Sequence, residues 1–195
     1  VPGRTSQVTC DNSGRIVDFV IEEGKGGMKE QIINIVNRWL PELPGRPIVV
    51  FDREGYDSGY FSKLVKAEQP FATWQKNVDT KALAQIADDE FKEHFQFNGK
   101  NYSVLEKEKV FTYSNPNNGD THTFTLRHLI IWNHSSNRRT AGLAWSKTMT
   151  TEEAVRAILS RWGASENTFK HIQERHPFHY NPGFKLVESE KQDIA

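Results

Sequence analysis

Two acidic residues stand where this chain could do metal chemistry. Asp52 closes the apolar run Pro47-Ile48-Val49-Val50-Phe51, and Glu166 lies about 110 residues downstream in Arg161-Trp162-Gly163-Ala164-Ser165-Glu166-Asn167-Thr168-Phe169-Lys170. Carboxylates from different elements offer the hard oxygens that suit Mg²⁺ or Mn²⁺. Two such ions about 4 Å apart polarise a phosphate and generate an attacking hydroxide or 3′-oxygen. Each residue also has an ordinary reading. Asp52 precedes a glycine-containing turn, where aspartate serves equally well to hold the backbone or cap a helix. Glu166 stands four residues from Lys170, the spacing of a solvated helix ion pair. Against that, Trp162 and Phe169 flank Glu166 on the same side of a helix, where a carboxylate is costly unless paired or metal-bound.

The two acids can act together only if the fold joins a strand end to a distant helix. Ile48-Val49-Val50-Phe51 is a short continuous apolar run, read as a central strand buried on both faces, which puts Asp52 at its carboxyl end. A helix with Phe61, Leu64 and Val65 on one face follows, then a strand at Phe71-Ala72-Thr73-Trp74, so the unit reads as a parallel crossover. Upstream, Thr5 to Cys10 and Arg15 to Ile21 flank the turn Asp11-Asn12-Ser13-Gly14 and predict a β-hairpin. Met28, Ile32, Ile35, Val36, Trp39 and Leu40 recur at helical spacing up to Pro41 and Pro44. From about 77 to 145 the pattern is β-rich. A short helix is expected over Lys81 to Phe91, and strands over Tyr102 to Tyr113 and Thr121 to Trp132, joined by a turn at 114–120. Thr150 and Glu153 have capping-box spacing and open a long helix through Ala154, Val155, Ile158, Trp162 and Phe169 to about His171.

Composition limits the alternatives. The 195 residues suffice for one domain with its own core. Twenty-five basic and 25 acidic residues balance, so any DNA-binding surface must be local. The single cysteine, Cys10, excludes an internal disulfide framework and a cysteine-built zinc site. No window approaches the roughly 18 apolar residues of a membrane span. The expectation is a soluble protein of a reducing compartment, which the resemblance described next narrows to the bacterial cytoplasm. The opening Val1-Pro2-Gly3-Arg4 and the close at Glu188 to Ala195 read as those of an excised fragment.

The run Ile48 to Gly55, then Phe71 to Trp74, then Arg161-Trp162 with Glu166-Asn167 and Phe169-Lys170, resembles the catalytic domain of DDE-type insertion-sequence transposases. The order of elements matches over about residues 5 to 175. The resemblance implies an α/β, RNase H-like mixed sheet flanked by helices, with a β-rich insertion before the last catalytic helix. It implies metal-dependent DNA cleavage and strand transfer with a two-metal Mg²⁺ or Mn²⁺ site, on transposon ends and target DNA, as a homodimer in a synaptic complex. By position, Asp52 matches the second catalytic aspartate and Glu166 the catalytic glutamate, both as metal ligands. Arg161, Lys170, Arg53 and Arg175 fall to phosphate or DNA contact. Arg161 and Glu166 have four residues between them where the family has three, and Gln173 stands where a downstream lysine is usual, with Arg175 nearby. Neither Asp11, in a turn, nor Asp18, within a strand, matches the first aspartate. That acid is expected upstream of this chain, leaving the fragment incomplete as an enzyme.

Other groups carry less. His171, His176 and His179 cluster with Glu174 but among prolines and without a cysteine, so a basic, solvent- or DNA-facing stretch is preferred to zinc. Gly24-Lys25-Gly26-Gly27 lacks the ending of a phosphate-binding loop. Arg138-Arg139 reads as part of a polar loop from Asn133 to Thr140, with DNA backbone as the alternative contact. Trp132, inside the β-rich segment, is the one tryptophan with a further reading, as an aid in positioning DNA. A nuclease without strand transfer and a degenerate DNA-binding module are the competing functions.

Overall fold

The computed structural model describes residues 4–23, 27–52 and 55–161. Strands β1 (Arg4–Cys10) and β2 (Ile16–Glu23) form the expected antiparallel hairpin as a separate two-stranded sheet. Its turn is held by the Asp11 carboxylate, which accepts from the backbone N–H of Ser13 and Arg15 and from the Ser13 hydroxyl. These bonds, the Ser13 hydroxyl first, hold the Asp11 carboxyl well below its usual range. Helix α1 (Met28–Trp39) ends as the prolines require, in a short 3₁₀ turn at Leu40–Glu42. The hairpin is anchored to this helix end by the buried Asp18 carboxylate, which accepts from Arg38 Nη1 at 3.0 Å and Trp39 Nε1 at 2.8 Å.

Strand β3 (Val49–Phe51), helix α2 (Ser58–Lys66) and strand β4 (Phe71–Trp74) make the parallel crossover, with Val49 opposite Phe71 and Phe51 opposite Thr73. Asp57 caps α2 by accepting the Tyr60 N–H at 2.7 Å. Helix α3 (Thr80–Ala84) and a 3₁₀ turn at Asp88–Glu90 occupy the stretch expected as one helix. Then come β5 (Glu93–Phe97), β6 (Lys100–Ser114), β7 (Thr121–Asn133) and β8 (Arg138–Trp145). A final helix, α4, runs over 151–161 within the described residues.

The six-stranded mixed sheet has the order β3-β4-β8-β7-β6-β5. Strand β3 therefore ends the order among the described residues, and its expected central place is corrected. Its apolar character reflects coverage of its faces, since Val49 and Phe51 pack with Met28, Ile32 and Ile33 of α1 and with α2. Facial burial says nothing about hydrogen-bonded neighbours. The middle of the order is β8 and β7, and β4, all four of whose residues are buried, lies between β3 and β8. The β-rich segment continues this sheet, because β8 pairs antiparallel with β4.

Alternate residues feed opposite faces. Phe71, Leu126 and Leu143 join Phe51, Tyr60, Phe61 and Leu64 beneath α2. Strands β6 and β7 are long enough to curl over the same helix, bringing Phe111 edge-on to Phe61 at 5.7 Å and the Ser62 hydroxyl to His122 Nδ1 at 2.7 Å. On the other face Ala72, Trp74, Val104, Leu129, Ile131 and Ala144 meet Ala154, Val155 and Ile158 of α4. Among the described residues no helix is long and apolar enough to cross a membrane.

Candidate active site

The site is assembled by the strand that delivers Asp52 and the helix that returns to it. At the strand end, buried Thr73 donates its hydroxyl to the Phe51 carbonyl at 2.8 Å, fixing the backbone immediately before Asp52. The Gly55 N–H then donates to the Asp52 carbonyl at 3.1 Å, so the backbone of Asp52 takes part in the turn. Among the described residues the cap of the following helix, α2, is supplied by Asp57 and not by Asp52.

Helix α4 starts as its sequence predicts. The Glu153 N–H donates to Thr150 Oγ1 at 3.2 Å, and the Thr150 N–H donates to the Glu153 carboxylate at 2.8 Å. These bonds hold the Glu153 carboxyl below its usual value. The helix start is also tied to the sheet by Arg127 of β7, which forks onto Glu106 of β6 at 2.7 and 2.8 Å and donates to the Met149 carbonyl at 2.6 Å. Glu106 accepts the Thr151 hydroxyl too, at 2.8 Å. The Arg127 bonds, then that hydroxyl, keep Glu106 below the usual carboxylate range. Along its middle the helix lies close on β8, where a Cβ at Gly142 would come within 2.6 Å of Ile158 Cδ1 and 3.1 Å of the Thr73 carbonyl oxygen.

Arg161, at the far end of the described part of α4, reaches Asp52. Its Nη2 donates to Asp52 Oδ2 at 3.1 Å across 109 residues of sequence. The side chains are 25% and 37% exposed respectively, so the pair is neither buried in the core nor freely solvated. Arg161 was expected as a phosphate contact. Its guanidinium compensates the Asp52 charge.

A half-exposed carboxylate at the end of β3 that already stabilises a cationic group fits one ligand of a divalent metal in chemistry and access. Among the described residues no three His, Cys, Asp or Glu side chains gather in a metal-binding group. Glu166, Lys170, Arg175 and Arg53 lie outside the described residues, as do Gln173, Glu174, His171, His176 and His179. A cavity of about 360 Å³ near the start of α4 is lined by Glu90, Glu93 and Glu106 with Lys92 and Thr151, an acidic surface unsuited to phosphate.

Two side readings are corrected. Arg139 is not in a polar loop: it belongs to β8, its side chain is 11% exposed, and it donates to the Leu83 and Ile86 carbonyls while pairing with Asp88. It also covers the rings of Trp132 at 4.4 Å and Phe91 at 4.9 Å. Trp132, packed against Phe91, Arg139 and His134, is part of this cluster rather than an open platform. Sequence reasoning passed over Thr73, Arg127 and Gly142, whose roles arise from contacts between elements and leave no local spacing signal. No protein-family model matches the chain, and no curated protein matches it.

Proposed function

We propose that this chain is the catalytic domain of a DDE-type transposase with an RNase H-like fold, cutting and joining DNA. The observation that supports this best is the Arg161–Asp52 contact. It brings the helix that leads towards Glu166 to the carboxyl end of the strand carrying Asp52, as the resemblance requires. The succession of hairpin, helix, parallel crossover, β-rich segment and helix agrees with the same family order.

In this reading Asp52 and Glu166 are metal ligands; Thr73 fixes the strand end before Asp52, and the Thr150 cap and Arg127 fix the start of α4, which precedes Glu166 in the sequence. Bound Mg²⁺ or Mn²⁺ would supply polarisation of the scissile phosphate and activation of its nucleophile. Arg161 holds the Asp52 carboxylate in place. Phosphate contacts by Arg161, Lys170, Arg53 and Arg175 add affinity that falls with salt and carries no base sequence.

The test is cleavage and joining of DNA by the full-length protein containing this domain, with Mg²⁺ or Mn²⁺. Asp52→Ala and Glu166→Ala should each abolish metal-dependent product formation while leaving salt-sensitive DNA binding intact. Cleaved but unjoined 3′-hydroxyl ends would reassign the protein as a nuclease. DNA binding with no metal-dependent cleavage, unaffected by either substitution, would leave a non-catalytic module.

A further inference from the structure

At the edge of the sheet opposite Asp52, two imidazoles converge on one buried hydroxyl. His94 of β5 places Nδ1 2.7 Å from Ser103 Oγ, and His134, just beyond β7, places Nε2 2.6 Å from the same oxygen. Strand register explains the meeting. His94 faces Ser103 across the β5–β6 ladder, and Ser103 faces Trp132 on β7. His134 is held from behind, its N–H donating to the Asn101 carbonyl at 3.1 Å and its ring lying 4.2 Å from that of Trp132. Ser103 is 1% exposed, whereas both histidines are open to solvent.

A serine hydroxyl carries one proton, so in this triplet it donates to one ring nitrogen and accepts from an N–H on the other. One imidazole therefore already aims a bare lone pair at this point. Moving the other ring's proton to its opposite, outward nitrogen frees a second. The result is two imidazole nitrogens and one hydroxyl oxygen, presented by three separate backbone segments. Zinc–ligand bonds of about 2.0–2.1 Å in a tetrahedral shell set the donors about 3.3 Å apart, so each ring nitrogen must part from the Ser103 oxygen by about 0.6–0.7 Å and turn its lone pair from that oxygen to the ion, a movement open to two solvent-exposed histidines. Imidazole favours zinc and its transition-metal neighbours over Mg²⁺ or Ca²⁺, which separates this set from a carboxylate site.

We propose that His94, His134 and Ser103 form a zinc site, with water completing a four-coordinate shell. The ion would tie β5, β6 and the turn after β7 together at the edge of the sheet. This site is independent of the transposase reading.

The experiment is calorimetric titration of the chain with Zn²⁺ in excess Mg²⁺, alongside long-range ¹H–¹⁵N spectra of the histidine rings. Zn²⁺ should shift His94 Nδ1 and His134 Nε2. His94→Ala or His134→Ala should weaken that binding event at least tenfold, Ser103→Ala should weaken it several-fold, and Asp52→Ala should leave it unchanged. His94→Gln and His134→Gln repeat the test with side-chain volume kept, each variant's fold being checked by circular dichroism. Unmoved resonances from these two rings, or unchanged affinity in the histidine variants, would overturn the site whatever other histidines bind. Unchanged affinity in Ser103→Ala would overturn the three-donor set.

Discussion

The Asp52–Arg161 pair can be tested both as a structural tie and as a charge at a metal site. Asp52→Asn and Arg161→Met remove the charges while keeping most of the volume and the apolar stem of the arginine. Opposite charges about 4 Å apart attract by about 4 kcal/mol at the effective dielectric of a protein surface. Desolvation of two partly exposed groups and ordering of a long side chain cancel most of this, leaving a coupling of about 1 kcal/mol. A double-mutant cycle by urea denaturation, followed by tryptophan fluorescence, measures that coupling directly. It should fall by at least half in 1 M salt. The same variants then separate in Mn²⁺ affinity: Asp52→Asn should weaken binding, and Arg161→Met should strengthen it by removing a cation that competes for the same oxygen. A coupling below about 0.3 kcal/mol refutes the tie. Affinity changes of the same sign refute the competition.

Thr150→Ala should cost about 1 kcal/mol in denaturant stability by removing the helix cap. Glu106 and Glu153 have folded-state pKa values lowered from the ordinary 4.5, so their contribution is complete above that value and is lost as pH falls through the folded values. Glu106→Gln and Glu153→Gln should accordingly flatten the fall in urea midpoint as pH drops below 4.5, and an unaltered slope would contradict the assignment. Gly142→Ala should cost about 1–3 kcal/mol, because the added Cβ meets both Ile158 and the Thr73 carbonyl, and should also weaken the Asp52–Arg161 coupling. Arg139→Lys should destabilise by about 1–3 kcal/mol, since an ammonium cannot reproduce the fork onto two carbonyls and the stack on Trp132. A shifted Trp132 emission maximum would report the lost stack.

Local features of this fold were legible where a residue's task is local. The Asp11-Asn12-Ser13-Gly14 turn satisfies itself within five residues, and the Thr150–Glu153 box within four. The helical stripe of α1 and the parallel crossover followed from periodicity and pitch. Strand β5, Glu-His-Phe-Gln-Phe, was missed because it is short and mostly exposed, and it is stabilised by pairing with β6. Strand β8 was also missed, its start being read as loop because Arg138-Arg139 looks polar, yet Arg139 is buried by partners on α3, the following 3₁₀ turn and β7. For the candidate site, the sequence indicated Asp52 and the returning helix but not how they meet. An arginine bonded to an aspartate 109 residues away has no sequence pattern of its own.

The position of that meeting follows from how α4 crosses the sheet. Its first turn is fixed over β6 and β7 by Arg127, Glu106 and Thr151. Its last described residue reaches the end of β3, and β7 and β3 are separated in the strand order by β8 and β4. Three inter-strand steps of about 4.8 Å span roughly 14 Å. The ten residue-to-residue steps from 151 to 161, at about 1.5 Å each, span roughly 15 Å. The described span of α4 therefore matches the width of sheet between its anchor and Asp52, and Gly142 lets it lie low enough midway for Arg161 to meet Asp52. The β-rich segment is on this account part of the device that sets the site, because β7 and β8 provide both the anchor and the distance between the helix start and Asp52.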